Sequence, residues 1–141
     1  MINENLTLTG AVTIAVNGEV VKEIPNLVVT TGKNFVSSRM KDTTKAAMTH
    51  MEIGSGTTSA AAGQTTLVTA VDRNALTSTT VTNNTIIYVC TWAAGDGTGA
   101  ITESGLFNAS SGGDMLCRTV FAVVNKGSAD SMTVTWTITV S

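Results

Sequence analysis

The last ten residues constrain the fold more than any other part of the chain. From Met132 to Ser141, apolar side chains alternate with hydroxyl side chains without a break. Successive side chains of an extended strand point to opposite faces, so this period of two predicts one buried face and one wet face. Threonine suits the wet face of a strand because its branched β-carbon favours extended backbone while its hydroxyl stays solvated. We therefore expect Val134, Trp136 and Ile138 to lie in the core of a β-sheet protein.

The same alternation opens the chain, which contains 26 threonines in all. Apolar and small or hydroxyl residues alternate from Leu6 to Val16, and Asn17-Gly18 follows. That dipeptide is a strong hairpin signal, because both central residues of a type I′ turn need positive φ. We predict an N-terminal hairpin over residues 5–24, ended by the single proline, Pro25.

Between these ends, turn signals recur every eight to twelve residues. That spacing is typical of an antiparallel sandwich or barrel. The predicted strands are residues 26–30, 75–82, 85–93, 101–108 and 115–124. Residues 46–53 fit either a strand or a helix, and we prefer a strand because the segment ends abruptly in Gly54-Ser55-Gly56. The fold prediction is an all-β, antiparallel, jelly-roll-like β-sandwich, with residues 1–141 forming a single domain.

One short helix is expected near residues 32–42. Thr31-Gly32 is the predicted cap, with Phe35, Val36 and Met40 on the inner side of the helix. Residues 54–66 form a long low-complexity loop, and loops of this length in compact domains are often functional.

Composition excludes several classes of protein. Charged residues make up 13% of the chain, about half the usual share, and the net charge is −2. A nucleic-acid interface needs clustered basic residues, whereas the densest group here, between Lys33 and Lys45, fits the solvated side of a helix. A surface poor in charge and rich in hydroxyls suits a subunit that packs into a larger assembly.

The targeting and redox signals are equally sparse. The N-terminus lacks the basic and apolar regions of a signal peptide, and no apolar run approaches the roughly 20 residues of a membrane helix. Cys90 and Cys117 stand alone in apolar runs, which predicts two reduced core thiols. We expect synthesis in a reducing cytoplasm and no contact with a membrane.

The chain carries no recognisable catalytic motif. His50 is the only histidine, so neither a metal site nor a catalytic triad can be assembled by spacing. The glycine clusters at residues 54–56 and 95–99 lack the lysine and the strand-to-helix context of a phosphate loop. The sequence predicts a protein that is not an enzyme and that holds no cofactor or metal.

Three segments, taken in order, resemble a family of small structural proteins of tailed bacteriophages. In related sequences a G-x-GTT loop with an Ala- or Pro-rich continuation precedes an ITE-x-G-(L/I)-F strand and an M-L-x-R-T-V-F strand. The matching segments here are Met51–Thr58 with the alanine run after it, Ile101–Asn108, and Met115–Phe121 with the closing strand. The resemblance covers roughly residues 32–141.

This resemblance implies a virion component, either a capsid decoration protein or a domain of tail and fibre proteins. We prefer a capsid decoration, or cement, protein that bridges subunits of the major capsid protein, because the chain shows no trimerising stalk or attachment segment. The alternatives are a tail or fibre component and, less favoured, a carbohydrate- or receptor-binding sandwich. A homodimer or homotrimer is expected. The candidate partner-binding residues are Met1, Ile2, Asn3, Glu4, Asn5, Gly54, Ser55, Gly56, Thr57 and Thr58.

Overall fold

Two antiparallel sheets of five strands each make up most of the described part of the molecule. The computed structural model describes residues 4–41 and 45–141. The strands are β1 Leu8–Val16, β2 Glu19–Pro25, β3 Leu27–Val28, β4 His50–Gly54, β5 Ala70–Ala75, β6 Ser78–Thr82, β7 Thr85–Trp92, β8 Gly99–Phe107, β9 Met115–Lys126 and β10 Met132–Val140. The first sheet has the order β2-β1-β10-β7-β6 and the second β3-β9-β8-β4-β5. The predicted all-β sandwich with one short helix is confirmed.

Within each sheet, strands adjacent in sequence often pair directly. This is so for β1 with β2, β4 with β5, β6 with β7, and β8 with β9. The two packed sheets agree with the predicted sandwich. The strand order consists mainly of these local antiparallel pairs.

Strand β10 lies at the centre of the first sheet and fixes its register. Trp136 pairs with Val12 on β1 and with Tyr88 on β7. Its side chain is 0% exposed, and Val134 and Ile138 are also buried. The alternation in the last ten residues therefore predicted the buried face of this strand correctly. The core lies between this face and the inner side chains of the second sheet, which include Met51, Ile53 and Leu106.

The turn of the N-terminal hairpin also agrees with its sequence signal. Asn17 and Gly18 adopt φ values of 51° and 82°, as a type I′ turn requires. The paired strands run from Leu8 to Pro25, slightly later than the predicted range of 5–24.

The one helix within the described residues, α1, spans Thr30–Arg39, so it begins about two residues earlier than predicted. The prediction of a Thr31-Gly32 cap is wrong, because Val29 occupies the N-cap and provides no side-chain hydrogen bond. The helix start is fixed by packing instead. The Val29 N–H donates to the Leu116 carbonyl on β9, and the Gly32 α-carbon lies against that same carbonyl, where a β-carbon would not fit.

Only part of the predicted inner side of the helix is buried. Phe35 is buried and Val36 is half-buried, but Met40 is 82% exposed, since it follows the last helical turn. Of the predicted range, residue 42 lies outside the described residues.

Two strand predictions need correction as well. The predicted strand over residues 75–82 contains β6 and only the last residue of β5, which belongs to the other sheet and was not predicted. Residues 76–77 carry the chain from one sheet to the other, and the polar residues of β5 concealed its strand character. The strand predicted from residue 46 begins at His50. Among the described residues, no helix is long and apolar enough to cross a membrane.

Candidate interaction surface

A buried ion pair holds the long loop between β4 and β5 against the second sheet. Glu103 on β8 and Arg118 on β9 both have fully buried side chains. The Arg118 Nε donates to Glu103 Oε1 at 3.0 Å, and Nη2 lies 2.9 Å from the same oxygen. Arg118 Nη1 also donates to Gln64 Oε1 at 2.9 Å, which ties the middle of the loop to the pair.

The Glu103 carboxylate accepts three backbone hydrogen bonds from the loop. The N–H groups of Gly56, Val68 and Thr69 donate to it at 2.6, 2.9 and 2.8 Å. Burial alone would raise the pKa of Glu103, but the hydrogen bonds from the loop amides and from Arg118 outweigh it and hold the pKa below its usual range. Glu103 is therefore a charged anchor that fixes both ends of the loop.

The glycines of the Gly54-Ser55-Gly56 segment are explained by this anchor. A β-carbon on Gly56 would overlap the Glu103 carboxylate and the Val68 side chain, and one on Gly54 would overlap the Thr69 carbonyl. Glycine is required here because the backbone approaches its neighbours too closely for any side chain. The Thr102 hydroxyl adds a bond by donating to the Gly56 carbonyl at 2.7 Å.

The segments that carry the phage-family resemblance thus meet in space. Gly54 and Gly56 from the first segment, Glu103 from the second and Arg118 from the third form one cluster beneath the loop. The cluster is structural, since its polar groups bind one another. The three sequence segments therefore account for the loop and its anchor.

The candidate partner-binding residues are divided by this arrangement. Ser55, Thr57 and Thr58 are exposed on the outside of the loop, whereas Gly54 and Gly56 are buried. Glu4 and Asn5, near the N-terminus, are exposed as well. Met1, Ile2 and Asn3 lie outside the described residues.

A second ion pair, which the sequence analysis did not predict, joins Arg73 on β5 to Glu52 on β4. The Arg73 Nε donates to Glu52 Oε2 at 2.8 Å, and its guanidinium lies 3.7 Å from the centre of the Phe107 ring. Its Nη1 donates to the carbonyls of Ala109 and Gly112 at 3.0 and 2.8 Å. The only sequence signal for this ion pair is that charged residues are rare in the chain and that Glu52 and Arg73 fall on neighbouring strands.

Four of the five strands of the first sheet have an open and uncharged outer face, bordered on β2 by Glu23, which lies opposite Thr13. We define the hydroxyl face by the outward residues of β1, β10, β7 and β6, none of which carries a charge: Thr9, Ala11, Thr13, Ala15, Thr133, Thr135, Thr137, Thr139, Thr85, Ile87, Val89, Thr91, Ser78, Thr80 and Thr82. All are exposed or half-exposed. Hydroxyl pairs cross the strands, as where the Thr91 and Thr133 hydroxyls lie 3.0 Å apart.

An apolar cleft of about 370 Å³ opens between the first sheet and α1. Its walls include Phe35, Val36, Met48, Ile86, Tyr88 and Leu116, and its rim includes Thr79 and Val81 of β6. The cleft was not predicted, because its walls come from distant parts of the sequence. Burial, with a smaller contribution from Cys117, raises the pKa of Tyr88 to about 12, so its hydroxyl stays protonated at physiological pH.

The two cysteines and the histidine are the remaining side chains that could take part in catalysis or metal binding. Cys90 and Cys117 are buried free thiols. Burial chiefly raises the pKa of Cys90 to about 12 and that of Cys117 well above its usual range, so neither thiol is reactive at neutral pH. His50 is half-buried, and its Nδ1 lies 2.8 Å from the Thr49 hydroxyl. Within residues 4–41 and 45–141, no three metal-ligating side chains come together.

Comparison with protein-family models, with curated proteins and with solved structures found no match for this chain.

Proposed function

We propose that this protein is a non-enzymatic structural component of a tailed-bacteriophage virion. In its most specific form, the proposal is a capsid decoration protein that bridges neighbouring subunits of the major capsid protein and stabilises the shell. The resemblance of its three ordered segments to phage structural proteins suggests the class. The observation that carries the proposal is the uncharged hydroxyl face.

The hydroxyl face suits contact with another protein. Buried charges must be paired to avoid a large desolvation cost, whereas threonine hydroxyls and aliphatic groups can be covered by many partners at a small cost. A large interaction surface without charge is unusual, because soluble proteins normally rely on charged residues for solubility. Four adjacent strands lack any outward charge here, so the face is well suited to being covered.

The size of the face indicates how it would act. Four strands at about 4.8 Å spacing and eight residues at about 3.3 Å each give roughly 20 by 25 Å, or about 500 Å². A stable interface needs about 800 Å² from each partner. One copy would bind weakly by this face alone, and the exposed residues Ser55, Thr57 and Thr58 would add to the contact. Many copies on one shell would combine weak contacts into strong overall stabilisation.

A tail or fibre component is the second candidate function, since the same surface could bind a tail protein. A carbohydrate-binding module is less favoured because all six aromatic side chains are buried, namely Phe35, Tyr88, Trp92, Phe107, Phe121 and Trp136. Sugar-binding sites commonly stack sugars on exposed aromatic rings, and none of these rings is exposed.

Copy number in purified particles tests the proposal. A decoration protein follows icosahedral symmetry and should occur on the order of hundreds of times per particle, and a tail component about a dozen times. Quantification against the major capsid protein distinguishes these outcomes. A copy number near a dozen would replace the capsid assignment with the tail assignment, and absence from particles would overturn both.

A surface variant then tests the hydroxyl face. Thr135→Lys places a charge at the centre of the face, and we expect its occupancy on empty shells to fall at least tenfold, because an unpaired lysine would be buried in the contact. Ser128→Lys, on an exposed turn outside the face, is the matched control and should bind like the parent. Equal occupancy of both variants would show that another surface binds the shell.

A further inference from the structure

The edge strand β6 has features that distinguish it from the other sheet edges. All five of its residues are exposed, none is charged, and its pairing with β7 runs from Ser78–Val89 to Thr82–Thr85 without a register shift. An edge strand of this kind presents unpaired backbone groups to any strand that approaches it.

The other three edges carry the usual protection against pairing. Strand β2 contains Lys22 and Glu23, ends in Pro25 and has a register shift against β1. Strand β5 contains Asp72 and Arg73, and β3 is two residues long. Charges, proline, irregular pairing and short length are the standard means of blocking an edge. Among the described edge strands, only β6 lacks all of these features. This difference indicates that a partner covers β6 in the functional protein.

The geometry of the hairpin determines which backbone groups are free. In a two-residue hairpin the closing pair, here Thr82 and Thr85, exchanges hydrogen bonds, and such pairs alternate along the strands. Thr80 and Thr82 therefore direct their N–H and C=O groups toward β7. The groups of Thr79 and Val81 point to the open edge, where a partner strand could bind them.

We propose that β6 is a homodimer interface, in which two copies pair antiparallel about a two-fold axis at Thr80. In this register Thr79 of one copy faces Val81 of the other, and the free groups of these residues form four N–H···O bonds across the axis. The two Thr80 residues face each other as a pair without hydrogen bonds. The interface joins the two first sheets into one sheet of ten strands.

A second copy fits this edge for two reasons. A two-fold axis sets a central residue against itself, so a charge there would meet its like, and β6 has none. In addition, Thr79 and Val81 line the mouth of the apolar cleft, and Val81 is 67% exposed. A paired strand would cover Val81 and extend the inner layer over the cleft, which buries apolar surface.

The dimer would also enlarge the hydroxyl face. Ser78, Thr80 and Thr82 are outward residues of that face, so pairing at β6 makes the faces of two copies continuous. A five-residue edge with the cleft mouth is smaller than a standard interface, and the association is accordingly weak and concentration-dependent. The proposal does not depend on a virion role.

Sedimentation velocity of the full chain over roughly 1–200 µM tests the proposal. The parent should shift from the 14.5 kDa of one chain toward twice that mass. Thr80→Lys places two lysines against each other on the axis and should remain a monomer. Thr13→Lys makes the same change on the outer side of β1, away from β6, and should dimerise like the parent. A parent that stays monomeric throughout, or a dimer that tolerates Thr80→Lys, would overturn the proposal.

Cysteine cross-linking tests the register. The Cα atoms of the facing Thr80 pair should lie about 4.5 Å apart, which a disulfide can span. Thr80→Cys should therefore form a covalent dimer under mild oxidation. Thr82→Cys is the control, because Thr82 faces Ser78 of the other copy and not its own equivalent. Equal cross-linking of the two variants would exclude a two-fold axis at Thr80.

Discussion

The central strands of the two sheets, β10 and β8, have opposite relations to solvent. Residues of β10 alternate between buried and half-exposed along most of the strand, whereas every residue from Ile101 to Phe107 on β8 is buried. The difference comes from the loop between β4 and β5, which covers the outer side of β8 and brings Leu67 against Phe107 and Met115. The outer side of β10 has no such cover.

The outer side of the second sheet and the hydroxyl face also differ in charge. The covered outer side of the second sheet holds the Glu103–Arg118 and Arg73–Glu52 pairs, whereas the hydroxyl face has no charge. Buried pairs are costly to form, yet they are strongly destabilising to break and so can hold a loop in one position. The comparison indicates that the charged pairs of the second sheet hold its own loop and strands together. The hydroxyl face of the first sheet, in contrast, is free to contact a partner.

The largest expected effect tests the inner side of β10. Trp136→Ala should lower the free energy of unfolding by about 3–5 kcal/mol, because the cavity left by the buried indole cannot be filled. Thr137→Ala, the next residue on the outer side, should change it by less than about 1 kcal/mol. Urea unfolding measures both. Similar losses for the two variants would show that the outer face is also packed.

The buried ion pair on the second sheet should show a comparable effect. Arg118→Ala leaves the Glu103 charge buried without its partner, which should cost about 3–5 kcal/mol. Lys45→Ala breaks the more exposed Lys45–Asp114 pair and should cost at most about 1 kcal/mol. Proteolysis between residues 55 and 69 should accelerate only in the Arg118 variant. Equal stability of the two variants would contradict the anchoring role.

The charge on Glu103 should make part of the stability depend on pH. Because its pKa is lowered in the folded protein, its contribution is present above the unfolded value of about 4.3 and is lost as the pH falls through the folded pKa. The parent should therefore exceed Glu103→Gln in unfolding free energy most at pH 7, and the gap should narrow below about pH 4. A gap that stays constant from pH 7 to pH 3 would mean that Glu103 titrates alike in both states.

The smallest stability effect is expected at the N-terminus. Deletion of residues 1–5 removes the exposed Glu4 and Asn5 and leaves the Thr7 N–H bond to the Ser141 carbonyl in place, so the circular dichroism spectrum and melting curve should be unchanged. Under the decoration hypothesis, shell occupancy should fall. Undiminished occupancy would exclude this segment as an anchor and leave the hydroxyl face and the loop as the contact surfaces.

The sequence predicted elements whose signal is local. The alternation of β10 and the Asn17-Gly18 turn depend on side-chain direction and on the φ values of two residues, and both were correct. The β5 strand was missed because Asp72 and Arg73 interrupt its apolar pattern. The position of Met40 was wrong because the helix ends at Arg39, so Met40 lies past the last turn and is exposed.

By itself, the sequence determined that this protein is a β-sandwich with a hydroxyl-rich face, because a period of two must place threonines together on one side of a strand. Only the tertiary structure decided which outer face is covered. It also decided that the glycines of Gly54-Ser55-Gly56 serve Glu103, and that β6 remains an open edge beside an apolar cleft. These features join residues far apart in the chain, and their contacts depend on the order of the strands, which local periodicity does not encode.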